Sequence, residues 1–246
     1  MKPTLLIPIY DHGATIGGVL QSLEVHGLPC LVVNDGSSPP TRKALDELEA
    51  RYDWVTVHHR VRNGGRGAAL KTGYRVAREL GFTHAIQLDA DAQHDARDVP
   101  KFIEAARARP EALVLGAPIF DASAPKARLY GRQLSRGMVW LTTFSFAVTD
   151  PLCGFRGIPL EPALRLIERS ACGDHMEFDP EFVIRLQWMG VPVVNVPTQV
   201  VYDEDGVSHF DMWRDNLRLI GMYTRATLGA LPARLRGVGP VETEEP

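Results

Sequence analysis

The stretch Ala85-Ile-Gln-Leu-Asp89-Ala-Asp91-Ala-Gln93-His94 decides how this chain is read. An apolar run leaves the core and ends in two carboxylates, two residues apart. Side chains alternate along an extended strand, so residues i and i+2 face the same way. On that pattern Asp89 and Asp91 converge on one hard cation, with Gln93 as a third oxygen ligand on the same side. One or two carboxylates, with positions left for phosphate oxygens, suit Mg²⁺ or Mn²⁺ carrying a diphosphate. The plainer alternative is a solvated Asp-Ala-Asp turn after a strand, and the spacing alone does not separate the two.

Outward from this stretch, strands and helices alternate. Strands are expected at residues 4–9, 30–33, 54–57, 83–88 and 112–115, with helices at 13–26, 41–52, 67–80 and 99–107. That β-α-β-α order predicts an α/β fold with a mixed, mainly parallel, Rossmann-like sheet and helices on both faces. Ligands of such sheets bind beyond the carboxyl ends of the strands. Three polar clusters fall there: Pro8-Ile-Tyr10-Asp11, Asn34-Asp35-Gly36-Ser37 and Asp89-Ala90-Asp91. After residue 120 the rhythm changes. A helix is expected at 126–146, carrying Arg128, Arg132 and Arg136 as a basic stripe, then a turn-rich segment at 150–156. A helix at 179–189, strands at 191–196 and 198–202, and a helix at 212–231 follow. The expected division is a domain at 1–210, an amphipathic helix at 211–236 and a disordered Pro/Glu/Thr tail at 237–246.

Composition bounds the function. The apolar fraction is 45%, the charged fraction 23% and the net charge -3, so no general nucleic-acid-binding surface is implied. Cys30, Cys153 and Cys172 are scattered and odd in number, which fits a reducing cytoplasm better than a disulfide framework. The opening Met-Lys-Pro-Thr runs straight into a strand, unlike a signal peptide, and no apolar run reaches the ~20 residues of a membrane span.

A Gly-rich segment, Asn63-Gly-Gly-Arg-Gly-Ala-Ala-Leu-Lys71, enters a helix. Helix N-termini offer free N–H groups to anions, and Arg66 and Lys71 add charge near a diphosphate. The Gly-x-x-x-x-Gly-Lys-Ser/Thr spacing of nucleoside triphosphatases is absent. The residues by themselves leave open a loop whose glycines only permit a tight turn.

Six motifs in order resemble one family: Ile7-Pro-Ile-Tyr10, Val33-Asn-Asp35-Gly-Ser37, the Gly-rich segment, Asp89-Ala-Asp91-Ala-Gln93-His94, Asp150-Pro-Leu-Cys-Gly-Phe-Arg156 and Glu177-Phe-Asp179-Pro-Glu181. Over roughly residues 3–210 the chain resembles the family 2 glycosyltransferases of GT-A fold, most of all their dolichol-phosphate mannose synthase and polyprenyl-phosphate glycosyltransferase branch. The resemblance implies transfer of a sugar, with inversion, from a nucleotide diphosphate sugar. It implies a divalent ion at Asp89, Asp91 and Gln93, and a donor nucleotide site made by Pro8, Tyr10, Asp11, Asp35, Gly36, Ser37, Arg66, Lys71, Asp89 and Ala90. Asp35 would meet the base or ribose and is compatible with UDP, GDP or dTDP.

The acceptor divides the chemistry. A sugar hydroxyl needs a carboxylate to take its proton, and Asp150, Glu177 and Asp179 are the candidates. A lipid phosphate is already anionic and needs arginines instead. Arg132 and Arg156 match basic positions of the lipid-phosphate branch, Arg156 counting also among the catalytic candidates. Gly206-Val-Ser-His209 places His209 where that branch usually carries Lys or Arg. In the last helix, Trp213, Leu217, Ile220, Tyr223, Thr227 and Leu231 are expected on one face, with Arg214, Arg218, Arg225, Arg234 and Arg236 adding positive charge. Such a helix either packs on its own domain or lies peripherally on an anionic membrane. Two other classes are weighed. A sugar nucleotidyltransferase is disfavoured, because the first loop, Tyr10-Asp11-His12-Gly13-Ala14, lacks Lys and Arg. A non-catalytic sugar-nucleotide binder is disfavoured by the intact carboxylates.

Overall fold

A computed structural model describes residues 1–120, 126–170, 172–200 and 211–235, with side chains omitted at 126–128 and 231–235. His209 and Arg236 lie outside the described residues, as does the 237–246 tail.

Seven strands form one sheet. They are β1 (Pro3–Ile9), β2 (Cys30–Asn34), β3 (Val55–His59), β4 (His84–Gln87), β5 (Leu113–Phe120), β6 (Arg156–Pro159) and β7 (Val193–Val200), in the spatial order β3-β2-β1-β4-β6-β5-β7. All neighbours run parallel except β6, which is antiparallel to both β4 and β5. The mainly parallel expectation holds. β6 escaped the sequence reading because its four residues, Arg156-Gly-Ile-Pro159, are too few to show a period. The strands expected at 191–196 and 198–202 are, as far as described, one strand; Pro197 lies within it, on an edge strand where a missing N–H costs little.

The helices are α1 (Gly13–Leu23), α2 (Pro39–Arg51), α3 (Arg66–Glu79), α4 (Val99–Ala108), α5 (Lys126–Thr143), α6 (Leu160–Arg169), α7 (Phe178–Trp188) and α8 (Arg214–Leu235). Leu5, Ile7 and Ile9 alternate with Leu6 along β1. The odd set joins a core with Ile16, Leu20 and Phe102 of α1 and α4, while Leu6 joins Leu70, Tyr74, Phe178 and Phe182 of α3 and α7. Period-two alternation thus feeds two cores, one on each face.

α8 departs from the expected face. Met222, Tyr223, Ala226 and Ala230 are buried, whereas Trp213, Leu217, Ile220 and Leu228 are exposed. The helix is apolar on two sides, and packing selected the one with smaller residues.

Candidate active site

The carboxyl ends of β1, β2 and β4 border a cleft of about 1400 Å³, lined among others by Pro8, Tyr10, Asp35, Arg66, Asp89 and Asp91.

The cleft is built from short connections. β4 ends at Gln87, so Asp89 and Asp91 lie past the strand, Asp91 in a turn closed by Ala92 at φ 62°. The alternation expected for Asp89, Asp91 and Gln93 therefore does not apply. What holds the turn is local: the Gln93 N–H donates to Asp91 Oδ1 at 3.1 Å, and the Thr15 hydroxyl donates to the Ala90 carbonyl at 2.7 Å. Behind the turn, buried Gln87 donates to the Gly154 carbonyl at 3.0 Å. The Gly154 α-carbon packs directly on the Asp89 carboxylate, and any side chain there would overlap it.

Arg66, the first residue of α3, is the electrostatic centre. Its Nη1 lies 2.7 Å from Asp89 Oδ1 and its Nε donates to Asp179 Oδ2 at 2.6 Å. His94 Nε2 lies 3.5 Å from Asp89 Oδ2. Burial works to raise the Asp89 pKa, but Arg66 and His94 overcome it and hold the carboxyl well below the usual range. Burial, and then the Asp89 charge, push the Asp91 carboxyl up. The pair is thus short of positive charge on its Asp91 side, as a cation site should be. Among the described residues, no three His, Cys, Asp or Glu side chains form a ready-made metal cage. Asp89 and Asp91 nevertheless fit Mg²⁺ or Mn²⁺, for which two carboxylates would leave positions to water and phosphate oxygens.

The β2 side of the cleft is organised by Asp35. Its buried carboxylate accepts from the Gly64 and Gly65 N–H groups and is paired with Arg60. Gly36, at φ 69°, lies so close to the Arg62–Asn63 backbone that no side chain fits. Asp11 accepts from Ser38 N–H at 2.8 Å, and Ser37 Oγ accepts from the Asp11 N–H at 3.0 Å. Asp11, Gly36 and Ser37 therefore clamp the β1 and β2 ends together, while Pro8, Tyr10 and Asp35 line the cleft. Arg60 carries no motif signal in the sequence; only the fold brings it to Asp35.

Several expected roles change. Arg156 is 0% exposed, its guanidinium spent on the Cys153 and Pro151 carbonyls and on Asp179 at 2.9 Å. It braces the start of α7 and is not placed to grip an acceptor phosphate. Lys71 does not line the cleft and reaches Asp174 at 2.9 Å and the Cys172 carbonyl. Glu177 is buried beneath Gly173 and does not line the cleft. Asp150 is held by Arg132 at 2.7 and 2.8 Å and accepts from the Leu152 N–H at 2.8 Å. Arg132 itself lines the cleft, which then continues between α5 and α8 past Leu134, Met138, Ile220 and Leu228.

A doubly wound sheet with a carboxylate pair and an arginine beyond its central strands is the arrangement of a GT-A fold, the fold of nucleotide-sugar transferases. The family model "Glycosyl transferase family 2" matches residues 4–158, and the chain belongs to that family, a glycosyltransferase. An undecaprenyl-phosphate mannosyltransferase of Micrococcus luteus is 28% identical over 85% of this chain and 87% of its own. A UDP-N-acetylglucosamine–dolichyl-phosphate N-acetylglucosaminyltransferase of Methanococcus voltae is 26% identical over 81% and 86%. Among solved structures, glucosyl-3-phosphoglycerate synthase of Mycobacterium tuberculosis, in complex with Mn²⁺ and UDP-glucose, shares the fold at a TM-score of 0.65. It is 16% identical, with 95% of this chain and 78% of that one covered.

Proposed function

We propose that this enzyme transfers a sugar, with inversion and with a divalent metal, from a nucleotide diphosphate sugar to a polyprenyl-phosphate acceptor in envelope glycan or glycolipid synthesis. One observation carries the choice of acceptor. Each of the three carboxylates expected to deprotonate a sugar hydroxyl is engaged or withdrawn: Asp150 by Arg132, Asp179 by Arg66 and Arg156, Glu177 by burial outside the cleft. A phosphate monoester needs no such base near neutral pH, and Arg132, which lines the cleft, would pass from Asp150 to it. The names of the relatives, which specify undecaprenyl and dolichyl phosphates, support the same choice.

In this reading an acceptor phosphate oxygen attacks the anomeric carbon as the bond to the donor's β-phosphate oxygen breaks, and a nucleoside diphosphate leaves. Pro8, Tyr10 and Asp35 bind the nucleoside. Asp89 and Asp91 would hold Mg²⁺ or Mn²⁺, which when bound neutralises the departing diphosphate. Arg66 adds charge on the same side, and Arg132 orients the acceptor. Residues 1–210 would form the catalytic unit, with α8 covering the acceptor end. Among the described residues no helix is long and apolar enough to cross a membrane. We place the enzyme in the cytoplasm, peripheral on the inner membrane face.

The test is thermal stabilisation by UDP, GDP, dTDP and CDP, each with and without Mn²⁺, followed by transfer to a short-chain prenyl phosphate. A metal-dependent rise in Tm with one nucleotide, and turnover on the prenyl phosphate, are expected. No shift with any nucleotide would sink the donor assignment. Turnover only on saccharide hydroxyls would sink the acceptor assignment.

A further inference from the structure

The acceptor end of the cleft opens between two helices that both expose apolar side chains at its rim. At about 100° per residue, Trp213, just before α8, and Leu217, Ile220 and Leu228 within it fall within about 80° of arc. They are 83%, 66%, 63% and 63% exposed. The helix is attached on its far side by Met222, Tyr223, Ala226 and Ala230, so the stripe is not needed for folding. Along one flank of the stripe runs a row of arginines, Arg214, Arg218 and Arg225, the first two within 3.9 and 2.9 Å of Asp211 and Asp215. On α5, Tyr130, Leu134 and Leu141 recur at 4 and 7 residues and are 75%, 71% and 52% exposed. Leu134, Ile220 and Leu228 belong to both the rim and the cleft wall, so the apolar surface is continuous with the groove that holds Arg132.

Exposed aliphatic and aromatic side chains clustered on one side of a molecule call for a partner. An aromatic-aliphatic stripe with arginines along its edge matches the interface of an anionic bilayer, where the rings and chains enter the headgroup layer and the guanidinium groups stay at its surface. A second copy meeting the same stripe would instead crowd its arginines against like charge. We propose that the exposed faces of α5 and α8 are a docking surface for an anionic lipid bilayer, seating the groove mouth on the headgroup layer so that the acceptor phosphate reaches Arg132 directly from the membrane. The proposal rests on the lipid-phosphate reading for its purpose, though the surface itself is testable without it.

The experiment is flotation of the purified full chain with acceptor-free vesicles, either phosphatidylcholine alone or phosphatidylcholine with phosphatidylglycerol. It is run on the wild type, on a Trp213→Glu, Leu217→Glu double variant and on Arg225→Gln. None of these three residues lines the cleft. The wild type should float with the anionic vesicles. The double variant should partition about tenfold less or worse. Arg225→Gln should lose part of the preference for anionic over neutral vesicles. The double variant should keep its Tm and its turnover on a short-chain prenyl phosphate in detergent. Wild type that stays with the soluble fraction, or a double variant that floats equally well, overturns the proposal. So does a wild-type dimer in sedimentation that the double variant converts to monomer, since the stripe would then cover a second copy. Flotation without turnover on any prenyl phosphate would support the surface while overturning the acceptor reading.

Discussion

Arg66 Nη1 lies 2.7 Å from Asp89 Oδ1, so a side-chain cation already neutralises the first carboxylate of the expected metal pair. The same guanidinium reaches Asp179, which ties the carboxylate turn after β4 to the start of α7. In the proposed reaction Arg66 would be the residue nearest to a diphosphate held at Asp89.

Arg66→Ala should therefore have two effects. Loss of the guanidinium leaves Asp89 and the buried Asp179 carboxylate short of positive charge, at a cost of about 3 kcal/mol. Mn²⁺ alone should then raise the Tm of the variant more than that of the wild type, because the metal no longer competes with Arg66. Differential scanning fluorimetry with and without Mn²⁺ reads both. An equal metal response in the two proteins would show that Arg66 and the metal do not share Asp89.

Gly154→Ala is expected to disturb the site and the local fold together. The new methyl would overlap the Asp89 carboxylate and push it from Arg66 and His94. Metal-dependent nucleotide affinity should drop about 10–100-fold, with a fall in Tm from the broken pairing. Asp91→Ala should abolish turnover with the fold intact. Titration calorimetry with nucleotide and Mn²⁺, beside a melting curve, checks both variants. Gly154→Ala with wild-type affinity would mean that the Asp89 position is not critical.

Arg132→Ala should weaken the acceptor more than the donor. Expected is a rise of about tenfold or more in KM for a prenyl phosphate, with nucleotide affinity nearly unchanged. Arg132→Lys should recover only part, since a point charge replaces a planar fork. Equal losses on donor and acceptor would indicate that the Arg132–Asp150 pair only supports the turn before β6.

A pH effect on stability is expected from His84 at the start of β4. Its Nε2 lies 2.8 Å from the Pro110 carbonyl oxygen and its Nδ1 2.9 Å from Thr83 Oγ1. Burial lowers its pKa from the ordinary 6.5. On acidification the unfolded chain takes up the proton first. The stability linked to this group is thus whole above about 6.5 and erodes below it, by at most about 1.4 kcal/mol per pH unit. Melting curves over mildly acid pH should show a shallower acid-side loss in His84→Gln than in the wild type. An identical slope would remove His84 from that loss.

Much of this architecture is legible in the sequence. Alternation in β1 and helical periodicity in α1 and α3 follow from local chemistry, because burying an apolar face requires a period of 2 or of about 3.6. The carboxylates Asp35, Asp89 and Asp91 were legible as cleft residues because parallel strands carry their C-terminal loops to one rim. The reach of Arg156 and Lys71 was not. A long cationic side chain reads the same in sequence whether it meets a ligand, a carbonyl or a carboxylate.

The β-α alternation, the rim on which the polar motifs gather and the family to which they point all follow from spacing along the chain. Tertiary structure alone decided that β6 inserts antiparallel, that Arg60 reaches Asp35 and Arg66 reaches Asp89 and Asp179, and that α8 turns Trp213 and Leu217 outward. Those outcomes are pairings between residues distant in sequence. Which partner satisfies a buried charge, or which of two apolar faces is covered, is fixed only when the whole chain has packed.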